Sequence, residues 1–237
     1  NPPGDLLQYR LDPERPPVNL VDALTHFRTK HPDGGYAYPI DLVLMKLSYN
    51  SILVSTLDRG HAVIHRVRGP NREWFYSYQI VENVHPGEDG SVQFTPVENP
   101  RRDPLGLLQV LSPELMAGPL DEATWLRVSA ETAYPDAVVT LTRHMLWDRE
   151  LRFREAEFAP DLVITARADW YFGMKDSPGT MHGYPLAPAM RASWFVTGPN
   201  VRKGTRSTVP CRLVDLTPTI LHMVGLWPPH HPERSGA

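Results

Sequence analysis

The chain has 237 residues, of which 41% are hydrophobic, and this fits one large or two small domains with a substantial core. Its net charge of −3 gives no general attraction to nucleic acids or anionic membranes, and no apolar run approaches the ~20 residues of a spanning helix. A single cysteine, Cys211, excludes an internal disulfide and a cysteine-based zinc site. The sequence begins with Asn and shows no signal peptide, so we expect a processed, trimmed or partial chain, and no compartment is indicated.

Residues 1–39 predict a proline-rich arm followed by one short helix. Residues 1–17 are polar and rich in proline, and we expect them to wrap over a neighbouring surface. Residues 18–30 carry apolar side chains at helical spacing and predict an amphipathic helix. His26 and His31, at or after its polar face, are interpreted as solvated side chains.

Residues 40–100 predict a β-rich subdomain. Apolar runs and period-two alternation indicate strands at residues 41–45, 51–56, 61–67, 73–81 and 92–95. His61 and His65 share one face of the third strand but lie about 13 Å apart, at ~3.3 Å per residue. That distance is too large for two ligands of one metal ion, and we interpret both as surface residues.

Residues 101–227 predict an α/β core portion. After a loop at residues 103–106, apolar residues at helical spacing predict helices at 122–132 and 137–147. The short apolar run at 161–165 predicts a buried strand of a parallel or mixed sheet.

The stretch from residue 178 onward places a histidine in a glycine-flanked loop. His182 lies within the sequence Gly179-Thr180-Met181-His182-Gly183. An apolar run at 192–196 follows and predicts a buried strand, which ends at a Gly198-Pro199 turn.

The last predicted element is a helix with a clear start and end. Thr217 is placed to cap it, with Pro218 at the first helical position. Gly225 is placed to close the helix in a left-handed conformation. Residues 228–237 predict a flexible tail.

This order of parts resembles the C-terminal portion of the alkaline phosphatase superfamily, in particular its type I phosphodiesterase/nucleotide pyrophosphatase-like members. The resemblance covers about residues 135–226, and a short Asp103-Pro104-Leu105-Gly106 sequence is similar to the end of a β-rich segment in these relatives. The matching segments are His182-Gly183, Met190-Arg191-Ala192, Gly198-Pro199-Asn200-Val201 with Gly204, and Val214-Asp215-Leu216-Thr217-Pro218-Thr219, followed by Ile220-Leu221 and Val224-Gly225-Leu226.

The resemblance implies an α/β fold: the C-terminal half of an alkaline-phosphatase-like sandwich, in which helices flank a central mixed sheet, with a β-rich insertion. In this family the histidine of the His-Gly loop is a ligand of one of two catalytic metal ions, usually zinc, which implies that role for His182. Thr180 and Tyr184 are then candidates for contact with the substrate or with the metal ligands. The aromatic residues 170–172 would lie near the site and could stack on a base.

The remaining parts of a two-metal site are not found in the sequence. Two metal ions about 4 Å apart need several carboxylates and imidazoles, with a Ser or Thr nucleophile between them. Asp33-Gly34-Gly35 lacks the histidine of an Asp-His-Gly motif, and Asp58-Arg59-Gly60 has an arginine there, which cannot coordinate a cation. In the family these elements precede the segment that this chain resembles. We therefore expect the C-terminal half of a superfamily member, without the half that carries the nucleophile.

Three hypotheses follow. In the first, the chain is part of a metal-dependent hydrolase of phosphoric esters, and it is completed by the N-terminal half of the same protein or by another subunit. In the second, it is a catalytically inactive structural or accessory subunit of a larger complex. In the third, the resemblance is fortuitous and the chain is an ordinary α/β binding domain. Acidic residues and a metal beside His182 would favour the first hypothesis, and a partner surface over that loop would favour the second.

Overall fold

The apolar pattern that begins at residue 40 forms one antiparallel sheet, and helices pack on both of its faces. A computed structural model describes residues 2–31, 33–146, 159–173, 184–199 and 201–226. The strands are β1 Thr29–Lys30, β2 Tyr36–Ala37, β3 Ile40–Lys46, β4 Ser51–Ser55, β5 His61–Arg68, β6 Trp74–Pro86, β7 Val92–Pro96, β8 Leu120–Asp121 and β9 Leu162–Ala166. The helices are α1 Leu20–Thr25, α2 Pro113–Met116, α3 Glu122–Ser129, α4 Ala137–Met145, α5 Ala187–Met190 and α6 Leu216–Met223, with 3-10 turns at Pro3–Leu7 and Leu213–Asp215.

The main sheet has seven strands in the order β7-β6-β5-β4-β3-β9, with β8 paired to part of β6. Its pairings between described residues are all antiparallel, which differs from the expected mixed sheet. The reason is local. Tight turns join consecutive strands from β3 to β7, with Gly60 and Gly90 at positive φ, and short turns can join only antiparallel neighbours. Because β9 pairs with β3, one sheet spans the predicted β-rich stretch and the stretch after it.

The two faces of the sheet hold two hydrophobic clusters. Side chains that point one way pack against α3 and α4, and those that point the other way pack against α1 and the first 3-10 turn. The first cluster includes Leu42, Leu44, Ile52, Val54, Ile64, Tyr76, Trp125, Val138 and Met145, and the second includes Leu7, Val21, Val43, Met45, Leu53 and Val63. The central strands are thus buried on both faces, which explains why they read as continuous apolar runs. The mixed α/β class is confirmed, whereas the alkaline-phosphatase-like sandwich stays a prediction.

The first helix is shorter than the sequence predicted. Asn19 caps α1, since its side-chain oxygen accepts a hydrogen bond from the amide of Asp22 at 3.0 Å. The helix ends at Thr25 rather than near residue 30 because residues 29 and 30 pair with β2 in a small two-stranded sheet. None of the helices in the described ranges is long and apolar enough to cross a membrane.

The last helix begins two residues before the predicted start. Asp215, not Thr217, occupies the N-cap position, because the 3-10 turn Leu213–Asp215 runs directly into α6. The predicted end is confirmed. Gly225 has a φ of 74°, and the amide of Leu226 donates to the carbonyl of Leu221 at 2.8 Å, which closes the helix in the expected left-handed manner.

The predicted buried strand at residues 192–196 is wrong. These residues form no strand with any described part of the chain, and Phe195 is 90% exposed. An apolar run is buried as a strand only where a neighbouring element covers it, and the described residues supply none here. The predicted tail at 228–237 lies outside the described residues.

Candidate functional site

The strand that leads toward the predicted metal-binding loop ends at one end of the main sheet. The carboxyl end of β9, at Ala166, lies beside Ile40 at the start of β3. Since β3, β4 and β5 alternate in direction, the end of β4 and the start of β5 lie at the same end. We call this region the Ala166 end of the sheet.

A buried carboxylate at the Ala166 end is held by two side chains. Asp41, which is 7% exposed, accepts hydrogen bonds from Arg59 at 2.6 Å and from the Tyr134 hydroxyl at 2.7 Å, one on each oxygen. Arg59 also donates to the Tyr134 hydroxyl at 2.5 Å. Burial, and then the charge of Asp41, raise the pKa of Tyr134, so its hydroxyl stays protonated and donates. Both oxygens of this carboxylate are therefore occupied within the chain.

A second carboxylate at the same end also lies between arginines. Asp58 is 3.7 Å from the Arg167 guanidinium and 3.8 Å from that of Arg59. Arg167 in addition donates to the carbonyl of Ile40 at 3.2 Å, which fixes it next to the start of β3. The pairing of Asp41 and Asp58 with cationic side chains suits a structural role better than metal coordination.

Two aromatic residues bracket the loop that contains the predicted zinc ligand. The Tyr184 hydroxyl donates a hydrogen bond to the carbonyl of Trp170, so the chain leaves and returns at neighbouring points. The Trp170 ring contacts the His31 ring edge to face, with 6.0 Å between centroids. Tyr171 and Phe172 are exposed. Tyr184 thus lies at the foot of the loop, with its hydroxyl bonded to the backbone.

The two other predicted site residues, His182 and Thr180, lie outside the described residues. Their roles, and the zinc prediction, stay predictions. Among the residues that the structure does describe, no group of three His, Cys, Asp or Glu side chains could hold a metal ion. The described part of the site therefore offers no ligand set into which zinc could be fitted.

A cavity of about 250 Å³ opens on the α1 side of the Ala166 end. Its wall includes polar groups of Asp22 in α1, His26 just after α1, His61 in β5 and Arg102. The Nδ1 atom of His61 is 2.9 Å from the hydroxyl oxygen of Ser55, and burial lowers the pKa of His61, although Asp22 opposes the shift. The sequence interpretation of His61 as a surface residue was wrong, because this side chain is half-buried.

The alternation of residues in β5 contained a signal from which the partial burial of His61 could have been predicted. His61 shares its strand face with Val63, which belongs to the cluster against α1, so a side chain at this position faces the same layer. His65 lies on the same strand face as His61 and Val63, and it is exposed, as predicted.

The C-terminal segment, which we define as described residues between 184 and 226, is attached through arginines. Arg212 donates to both oxygens of Asp136, at 2.6 and 2.8 Å, and to Glu122 at 2.9 Å. Glu122 also accepts from Arg143 and from the Tyr76 hydroxyl. These contacts tie the segment to α3 and to the start of α4.

Large apolar side chains of the same segment are exposed. The most exposed are Phe195 at 90%, Leu213 at 86%, Val209 at 76% and Leu226 at 71%. None of the residues of α6 is buried. An apolar surface of this kind is typical of an interaction site.

Comparison with known proteins identifies no relative. No protein-family profile matches the chain, and neither does any curated protein or solved structure.

Proposed function

We propose that this chain is part of a metal-dependent hydrolase of phosphoric esters, of the phosphodiester or nucleotide type, in which His182 binds one of two zinc ions. The nucleophile and the other metal ligands belong to residues outside this chain. They are supplied by the N-terminal half of the same protein or by another subunit.

The observation that carries this proposal is the route of the chain at the Ala166 end. Strand β9 is followed by Trp170, whose carbonyl accepts a hydrogen bond from the Tyr184 hydroxyl, so the chain before and after residues 174–183 lies close together. The family resemblance gives the metal-binding His-Gly loop this position, after an apolar strand; β9 is apolar but only half-buried, whereas the sequence predicted a buried strand. The exposed aromatic residues Tyr171 and Phe172 at the start of the loop suit contact with a substrate.

The role proposed for His182 is a simple one. A neutral imidazole binds a metal through one ring nitrogen, and its other N–H needs an acceptor nearby. When bound, zinc would polarise a phosphoryl oxygen and neutralise charge that develops on it. Asp41 is bound by Arg59 and Tyr134, and Asp58 lies near Arg59 and Arg167, so we assign the carboxylate ligands to the completing half. Tyr184 positions the loop through its backbone contact, and Thr180 remains a candidate neighbour of the substrate.

The second candidate function is an inactive structural or accessory subunit. It is favoured by the pairing of the carboxylates at the Ala166 end with arginines, together with the exposed apolar side chains of the C-terminal segment. Both features fit a chain whose main task is to contact other proteins.

The test is the variant His182→Ala in the native assembly. Zinc content should fall, and kcat/KM for bis(p-nitrophenyl) phosphate should fall by at least about 100-fold, since even residues that only support a metal ligand contribute up to about that factor. The matched control is His65→Ala, which removes an exposed histidine from β5.

Unchanged zinc content and activity in His182→Ala would refute the assignment. A native assembly that contains no zinc and hydrolyses no phosphate ester would instead support the accessory subunit.

A further inference from the structure

We propose that the cavity on the α1 side of the Ala166 end, which we call the α1 cavity, binds a small zwitterion: an amino acid with an apolar side chain. In this assignment the carboxylate of the ligand binds Arg102 and its ammonium group binds Asp22. The inference does not depend on the proposed function, since it uses neither His182 nor a metal ion.

The inner wall of the α1 cavity is apolar and comes from several elements. Leu7 in the first 3-10 turn and Val21 in α1 are buried, and Leu57 and Val84 are half-buried. The volume of about 250 Å³ is smaller than the ~300–1,000 Å³ of sites for drug-sized ligands. A concave apolar wall with a few polar groups beside it is typical of small-molecule sites, and here its size favours a ligand with a short side chain.

The outer wall of the cavity carries two opposite charges. Arg102 is exposed, and the Asp22 side chain is 68% exposed. The two side chains form no ion pair with each other, so the guanidinium and the carboxylate are farther apart than ion-pairing distance. Opposite charges that line one cavity without pairing leave room between them for a ligand that carries both complementary groups.

The guanidinium of Arg102 is available to a ligand. It makes no hydrogen bond or ion pair within the described parts of the chain. Its stem lies beside the turn before β5, since a Cβ built on Gly60 would be 3.4 Å from the Cβ of Arg102. Gly60 has a φ of 81°, a conformation that favours glycine. A guanidinium with open donors binds a carboxylate well, because its planar fork can donate to both oxygens.

The carboxylate of Asp22 is positioned by the start of α1. Its backbone amide donates to the side chain of Asn19 at 3.0 Å, and its Oδ1 atom is 3.1 Å from Nδ1 of His26. The described residues supply no partner for the other oxygen, Oδ2. An ammonium group has three N–H donors and no acceptor, so it suits this oxygen.

The charge balance of the cavity distinguishes a zwitterion from other ligands. Burial lowers the pKa of His61, although Asp22 opposes the shift, and this favours a neutral imidazole on the wall. A ligand with only a carboxylate would leave Asp22 unpaired, and a ligand with only an amine would leave Arg102 unpaired. Among the residues that the structure describes, no three His, Cys, Asp or Glu side chains are grouped to hold a metal ion.

The experiment is isothermal titration calorimetry of the purified protein at pH 8, above the pKa of about 6.5 of a free imidazole. The probes are L-valine and two analogues of similar shape: isovalerate, which lacks the ammonium group, and isobutylamine, which lacks the carboxylate. We expect L-valine to bind, and each analogue to bind at least about tenfold more weakly, because each loses the hydrogen bonds of one charged group.

Two variants test the two contacts separately. Arg102→Met should weaken the binding of L-valine at least about tenfold without weakening that of isobutylamine. Asp22→Asn should weaken L-valine to a similar degree without weakening isovalerate. The exposed neighbour Arg101, which is not part of the cavity wall, supplies the control, and Arg101→Met should bind all three probes as the wild type does.

Four results would overturn the proposal. They are no binding of L-valine to the wild type at millimolar concentration, isovalerate or isobutylamine binding as tightly as L-valine, equal binding of L-valine to wild type and both variants, and an equal loss of every probe in both variants. The last result would mean that the substitutions alter the shape of the cavity rather than a specific contact. Circular dichroism of each variant shows whether its fold is retained.

Discussion

Strand β3 and residues 192–196 are both short apolar runs, yet they end in opposite environments. Six of the seven residues of β3 are buried between strands and under helices on both faces. The second run remains exposed, and Phe195 is its most exposed large side chain, at 90%. The two runs differ in their neighbours rather than in hydrophobicity, because β3 lies between β4 and β9, whereas the described chain offers no strand to residues 192–196.

The comparison shows that the sheet region and the C-terminal segment are stabilised by different kinds of interaction. The sheet region is stabilised by apolar packing on both faces. The C-terminal segment is held by polar contacts: Arg212 binds Asp136 and Glu122, and Arg191 donates to the carbonyls of Ala130 and Thr132. Apart from Leu186, which packs against the cluster under α3 and α4, its large apolar side chains form a surface that another polypeptide could cover.

The largest effect is expected from the core of the sheet region. Trp125 is 2% exposed and its indole N–H donates to the carbonyl of Tyr76 at 2.9 Å. Trp125→Ala should lower the free energy of unfolding by about 3–5 kcal/mol, since it leaves a cavity and removes a buried hydrogen bond. Phe195→Ala is the matched control and should change it by less than about 0.5 kcal/mol. Urea denaturation followed by circular dichroism measures both, and a large loss from Phe195→Ala would mean that this residue is buried in solution.

The next largest effect tests how the C-terminal segment is attached. Arg212→Met keeps the bulk of the side chain but leaves Asp136, whose side chain is 6% exposed, without its cationic partner. We expect a loss of about 3 kcal/mol, the lower end for breaking a buried ion pair.

In Arg212→Met, the expected loss of unfolding free energy should be accompanied by faster proteolysis of residues 184–226. The exposed Arg206 supplies the control, and Arg206→Met should leave both the unfolding free energy and the cleavage rate unchanged. If Arg212→Met behaves like the control, the segment is held by something other than this arginine.

The smallest effect concerns pH. Burial lowers the pKa of His61 below the value of about 6.5 for a free imidazole. As pH falls through that value the unfolded state takes up a proton more readily than the folded state, so the free energy of unfolding decreases from pH 7 toward pH 5. His61→Gln should remove part of this decrease, and the exposed His65→Gln should not. Identical pH profiles for wild type and His61→Gln would show that His61 is solvated.

Much of the fold was predictable because its signals are local. Period-two alternation and turn glycines located β3 to β7 and β9 within a few residues, and the spacing of apolar residues located α3 and α4. Pairing was less predictable. The partner of β9 is β3, more than a hundred residues earlier, and no local pattern shows that their directions are opposite.

The candidate site was predictable only in part. Nothing in the sequence spacing brings Asp41, Arg59 and Tyr134 together, since the fold joins them across the chain. His61 could have been placed by its strand face, as its neighbour Val63 shows. The exposure of Phe195 could not have been predicted, because the sequence of an apolar run does not show whether another part of the same chain packs over it.

The central claim is that His182 binds zinc in a site completed by residues outside this chain. Native mass spectrometry of the assembly purified from its source tests this claim most directly. The account predicts a species heavier than the 26.8 kDa of this chain, with bound zinc that is reduced in His182→Ala and with a nucleophile-bearing half identified by its peptides. A metal-free species of 26.8 kDa without any partner would contradict it.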